Sequence, residues 1–238
     1  MKKLIIVAII AITAWSCEDL TKYTRHIKSY VMGYYTYDDV QINVNSNNDI
    51  LVCPEIGNIC REDSESEEDK ALFNEVSTKY NDTHYYLTVS SNSPTAFFEN
   101  PMAVNNIESI DLICAEEIDT QYPEGSSVSD LVIFTTYSPL LFIQTGYNID
   151  FDQTGEYKYM EGLLPCFCYD EIIKPLNEIT SDDLVMIGNG AVENNLLFYL
   201  SVADYANSPL KDKKLKLTLN FADRPSITKE FTFSQGIY

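Results

Sequence analysis

The sequence predicts a mainly β protein, an antiparallel β-sandwich with one short helix. Three observations carry this: strict apolar–polar alternation near the C-terminus, many short apolar runs broken by turn residues, and a single stretch with helical spacing. At 238 residues and 45% apolar content, the chain suits one all-β domain with a sizeable core.

Residues 214–221 read KLKLTLNF, so every second side chain is apolar and one face of a strand is buried. Residues 222–225 (ADRP) form a turn, and residues 228–233 alternate again, which completes a C-terminal hairpin. Further strands are expected at residues 41–44, 85–89, 107–114, 131–135, 140–144, 147–151, 157–160, 185–187 and 196–202. Pro139 splits a long apolar run into two strands with a bend. The helix is expected where the acidic run EDSESEED, residues 62–69, leads into Ala71, Leu72, Phe73, Val76 and Tyr80. Acidic residues suit a helix N-terminus, and Ser66 with Asp69 has the spacing of a capping box. A solvated helix start is the commoner meaning of such a run than a cation trap.

The N-terminus carries an address. Lys2 and Lys3 precede an apolar run from Leu4 to Ile12, too short for a membrane-spanning helix and read as a secretory signal. The run ends in Ala14-Trp15-Ser16-Cys17. A small residue before Cys resembles the lipobox of bacterial lipoproteins, which implies cleavage before Cys17 and a diacylglycerol on its sulfur. Ala14 stands where that family usually has Leu, and Trp15 is unusual there. The alternative is an ordinary signal with a chance Cys. Glu18 and Asp19 resemble a surface-export tag of lipoproteins from the Bacteroidetes phylum, or are a solvated tether. The expected organisation is a signal peptide over residues 1–16, a lipidated tether over 17–31 and one β-sandwich domain over 32–238. The expected location is the bacterial outer membrane, on its surface or periplasmic face.

The net charge is −20, and loss of Lys2 and Lys3 makes it two units more negative. Such a domain repels nucleic acid and anionic membrane surfaces, so membrane attachment falls to the lipid at Cys17.

Five cysteines remain after Cys17: Cys53, Cys60, Cys114, Cys166 and Cys168. The segment CPEIGNIC, residues 53–60, reads as a loop by its Pro and Gly, and a Cys53–Cys60 disulfide would close it. Cys166 and Cys168 share one face if extended; with Cys114 they could bind a metal, but buried thiols are the better reading without His or a Cys-x-x-Cys pair.

Catalytic motifs are absent from the sequence. Its two His, His26 and His84, belong to no Gly-x-Ser-x-Gly, His-Glu-x-x-His or phosphate-loop pattern. A carboxylate pair among the 36 acids remains a third, weaker option as a glycan hydrolase. Residues 150–161 read DFDQTGEYKYME, an EF-hand calcium loop letter by letter. Both flanks alternate like strands and Lys158 would sit close to the ion, so a hairpin turn around Gly155 is expected instead. The residual reading is a weak calcium site at Asp150, Asp152 and Glu156, with Glu161 beyond reach; no other cofactor is expected.

Binding is better supported than catalysis. The chain has 17 Tyr and 11 Phe, and Tyr offers an apolar face with a polar tip to a sugar or a protein. Tyr34, Tyr35 and Tyr37 cluster, as do Tyr85 with Tyr86 and Tyr157 with Tyr159, although Tyr is also a good strand former. Three phrases, NIESID (106–111), GSSVSDL (125–131) and the Leu-x-Leu-x-Leu hairpin from Leu215, resemble small surface lipoproteins of gut Bacteroidetes. That resemblance implies a lipid-anchored β-sandwich and assigns no activity. The expectation is therefore a non-enzymatic, lipid-anchored envelope protein with a glycan or protein partner. The alternative is a structural or assembly subunit of a surface complex or fimbria.

Overall fold

The computed structural model describes residues 23–91, 101–147, 170–188 and 196–234. In chain order the strands are β1 (Tyr23–Ile27), β2 (Tyr34–Val44), β3 (Ile50–Cys60), β4 (Leu87–Ser91), β5 (Met102–Ala103), β6 (Ile107–Cys114), β7 (Ile133–Ser138), β8 (Asp170–Pro175), β9 (Phe198–Ser201), β10 (Lys213–Phe221) and β11 (Ile227–Phe233). Among the described residues, two α-helices join them, α1 (Glu67–Lys79) after β3 and α2 (Leu140–Gln144) after β7.

The fold is a β-sandwich, as its alternation predicts. A three-stranded sheet runs β11-β10-β6, and a six-stranded sheet runs β5-β2-β3-β9-β7-β8. Strand β1 pairs β4 in a separate ribbon. The pairs are antiparallel except for the two-residue contact of β2 with β5. Leu215, Leu217 and Leu219 of β10 face Val52, Phe134, Phe198 and Leu200 of the larger sheet in one buried core. Each such side chain contributes roughly 1.5–3 kcal/mol by leaving water. A second buried cluster lies around α1 and α2, where Phe73, Val76, Phe142 and Ile143 meet Tyr34, Cys60, Met102 and Met186.

Several expectations are corrected. Residues 53–60 are not a loop: they belong to β3, and Pro54 and Gly57 sit beside two register irregularities. Between Tyr35↔Ile59 and Tyr37↔Ile56 the extra residue is on β3; between Tyr37↔Ile56 and Val40↔Pro54 it is on β2. The two bulges restore the register, so Tyr35, Tyr37 and Val40 all join the intersheet core. Cys53 and Cys60 are free thiols. Seven steps along an extended strand separate them by roughly 20 Å, far beyond the ~7 Å a disulfide tolerates.

Residues 140–144 form α2, not a strand, because Pro139 starts the helix instead of bending a sheet. Residues 185–187 lie after a 3-10 turn (Ser181–Leu184) and outside any strand. That turn has a complete capping box between Thr180 and Asp183. The box expected at α1 forms only half: Ser66 Oγ accepts from Asp69 N–H at 3.3 Å. The Asp69 carboxylate instead takes hydrogen bonds from Asn58 at 2.7 Å and Ser64 at 2.9 Å.

Candidate functional site

Two helix ends build the site. Helix α1 stops where Asn81 adopts a left-handed conformation, φ 60°. Its N–H donates to the Thr78 carbonyl at 3.1 Å, and the next N–H, of Asp82, donates to the Ser77 carbonyl at 2.7 Å. This is a Schellman close, and it turns Asp82 inward. Helix α2 closes the same way on Gly146, φ 71°. There Gly146 N–H reaches Ile143 O at 3.0 Å and Tyr147 N–H reaches Phe142 O at 2.9 Å. The residue after each left-handed cap meets its counterpart: Tyr147 Oη donates to Asp82 Oδ1 at 3.0 Å.

Asp82 is fully buried. Oδ1 also accepts from Tyr30 N–H at 2.6 Å, and Oδ2 accepts from Val31 N–H and Tyr34 Oη, both at 2.9 Å. A carboxylate offers about four lone-pair sites, so its accepting capacity is used. Burial pushes the Asp82 carboxyl above the usual range, against the opposing pull of these four hydrogen bonds. Burial also raises the Tyr34 and Tyr147 hydroxyls, and the neighbouring carboxylate adds to it.

Aromatic rings enclose this carboxylate. Tyr30 meets Phe142 at 4.8 Å and Tyr85 at 5.1 Å between centroids, and Tyr85 meets Tyr147 at 5.2 Å. Such pairs add about 0.5–1.5 kcal/mol each beyond their burial. Tyr85 N–H is tied to the Lys28 carbonyl at 2.9 Å. Outside this packed set stands a rim. Tyr86 is 70% exposed. Its ring lies 6.1 Å from that of His84, edge to face. His84 N–H donates to Tyr147 Oη at 3.3 Å, and its Nδ1 pairs with Thr83 Oγ1 at 2.8 Å.

Backbone strain concentrates here. Asn81, Tyr86 and Tyr147 have φ of 60°, 49° and 61°. Left-handed Tyr costs of order 1–3 kcal/mol, and such residues gather at functional sites. A pocket lined by Ile27, Ser29, Val31, Met32, Glu62 and Phe73 measures about 10 Å³. That is room for about one water, against the several hundred Å³ of a small-molecule cleft. With its lone pairs occupied, Asp82 positions the loop; Tyr86 and His84 are the groups free to stack on or hydrogen-bond a ligand.

The sequence-predicted residues distribute unevenly. Tyr34, Tyr35 and Tyr37 are all buried, with Tyr34 in the helix-side cluster and the other two in the intersheet core. Of the Tyr85–Tyr86 pair, only Tyr86 is largely exposed. Cys17, Asp150, Asp152, Glu156 and Glu161 lie outside the described residues, as do Tyr157, Tyr159, Cys166 and Cys168. Among the described residues, no group of three His, Cys, Asp or Glu could hold a metal, and no helix is long and apolar enough to cross a membrane. Asp82 was invisible to motif reasoning, although Asn81 after a helical stripe and Thr145-Gly146 after an apolar run are recognisable C-cap signals. Comparison of the chain with protein-family models, curated proteins and solved structures finds no match.

Proposed function

We propose that this protein is a lipid-anchored, non-enzymatic component of the bacterial envelope that holds a glycan or protein partner through its His84–Tyr86 rim. One observation carries the reading: an exposed, strained Tyr beside a His, on a loop fixed from beneath by a fully bonded buried carboxylate. A rigid aromatic platform binds with little loss of side-chain freedom, since Tyr has only two rotatable χ angles. Lipidation at Cys17 supplies the membrane attachment, because a chain this acidic gains none from anionic lipid.

Electrophoresis through gels containing a panel of polysaccharides tests the glycan arm. At least one polysaccharide should retard the wild type, and Tyr86→Ala should run unretarded. A retarded Tyr86→Ala moves recognition away from the rim, and release of sugar from any panel member ends the non-enzymatic reading. Replacement of Cys17 by Ala should release the protein from membranes; continued retention contradicts the anchor.

A further inference from the structure

A second, part-buried charge lies on the intersheet side, and its hydrogen bonding is incomplete. The Arg224 guanidinium stacks on Phe221, 3.9 Å from the ring centroid, and stands 5.2 Å from the ring of Tyr37. Its Nη1 donates to the Tyr37 carbonyl and, at 3.2 Å, to Asp38 Oδ1. The Tyr37 carbonyl is itself held by the Asn105 side-chain amide, which also accepts from Tyr37 N–H. These contacts fix the plane of the guanidinium. Its opposite edge is bare: Nε and Nη2 are buried and unpartnered among the described residues, and so is the hydroxyl of Tyr37. Tyr37 is 1% exposed.

The Nε–Nη2 edge is the fork that takes an anion through two parallel N–H bonds. Both of those atoms are donors, the Tyr37 hydroxyl can supply a third, and buried N–H groups without a partner call for an acceptor. Asp38 pairs with Nη1 alone, and no carboxylate of the described residues bonds the Nε–Nη2 edge. Asp38 is fully exposed, Asp39 is paired with Lys229 at 2.7 Å, and Asp223 is bonded to Asn106 at 2.6 Å. We propose that Arg224 Nε and Nη2, with the Tyr37 hydroxyl, form a binding site for one small monovalent anion of the halide or formate size. Its occupancy ties β2 to the β10–β11 hairpin, independently of the Tyr86 rim.

The test is thermal unfolding of the full mature protein in sodium chloride and in sodium formate, at an ionic strength fixed with sodium methanesulfonate. The expected result is a saturable rise of the midpoint with chloride, formate or both. Tyr37→Phe keeps the ring and loses one donor, so it should weaken half-saturation about tenfold. Arg224→Lys, which lacks the fork, should lose the response. If Arg224→Lys does not fold, Tyr37→Phe and crystals soaked in bromide carry the test, with an anomalous peak expected within hydrogen-bond reach of Nε and Nη2. Midpoints indifferent to both anions, a Tyr37→Phe titration equal to wild type, or an ordered water without bromide signal would overturn the proposal.

Discussion

Asp82, fully buried, and Arg224, part-buried, are two charges solved in opposite ways. Asp82 gathers four donors from two separate stretches of chain, 48 to 65 residues away. Arg224 uses one nitrogen on a carbonyl and an exposed carboxylate, and leaves Nε and Nη2 without protein partners. A charge whose hydrogen-bonding sites are all filled by its own protein is structural, because nothing remains for a ligand. A charge with a pre-oriented, unfilled edge is a place where something else belongs.

Removing the Asp82 charge sharpens that contrast most. Asp82→Asn keeps the shape but has one acceptor oxygen, so its NH₂ must face two of the four donors. Leaving buried donors unmet costs about 1–3 kcal/mol each, so a loss of about 2–4 kcal/mol is expected from urea unfolding. This is a large part of a typical 5–15 kcal/mol stability. A loss below about 1 kcal/mol would mean that Asp82 does not organise the loop. Tyr34→Phe should follow at about 1.5–3 kcal/mol, the worth of a hydrogen bond to a charged group. Tyr147→Phe should cost less, about 1 kcal/mol, because Tyr147 is only half-buried and water can replace its hydroxyl. Equal losses from the two would show that burial does not set the strength of these bonds.

The pH dependence separates the same site from surface carboxylates. The folded-state pKa of Asp82 is raised above its ordinary carboxylate value, so between the two values the folded state binds more protons than the unfolded. Stability from this group is therefore greatest at and below the unfolded value and falls as pH rises through the folded one. Asp183 has the opposite sign. Burial acts upward on it, but the combined bonds to Lys174 and Thr180 hold its carboxyl low. Its contribution is present above 3.8 and is lost as pH falls through the folded value. The stability gap between wild type and Asp82→Asn should thus narrow as pH rises from about 4 towards 7. A gap that widens would reverse the sign assigned to Asp82.

The sandwich was legible because its strands obey a local rule. Residues 107–114 coincide with β6, and the alternation from residue 214 lies within β10. Local rules failed where geometry departs from them. In β3, Pro54 and Gly57 read as a loop, but paired bulges absorb both. In α2, the short apolar run had no periodicity to choose between helix and strand, and the Gly146 signal went unused. The candidate site was almost illegible. Asp82 finds its donors across 48 or more residues, and Arg224 reaches Tyr37 across 187. Such pairings follow from topology, which no single window of sequence contains.

The smallest expected effect isolates the strain in the rim. At φ 49°, Tyr86 occupies a conformation natural to glycine. Its side chain is largely in water, so removing it sacrifices little burial. Tyr86→Ala keeps the backbone penalty and should change stability by less than about 0.5 kcal/mol. Tyr86→Gly relieves the penalty, which outweighs the added freedom of the unfolded chain, and should be more stable than Tyr86→Ala by about 1 kcal/mol. Both variants should lose polysaccharide retention alike. A residue whose replacement raises stability while abolishing binding is held there for recognition and not for the fold. If Gly is no more stable than Ala at this position, the strain is absent and the argument for a built rim rests on exposure alone.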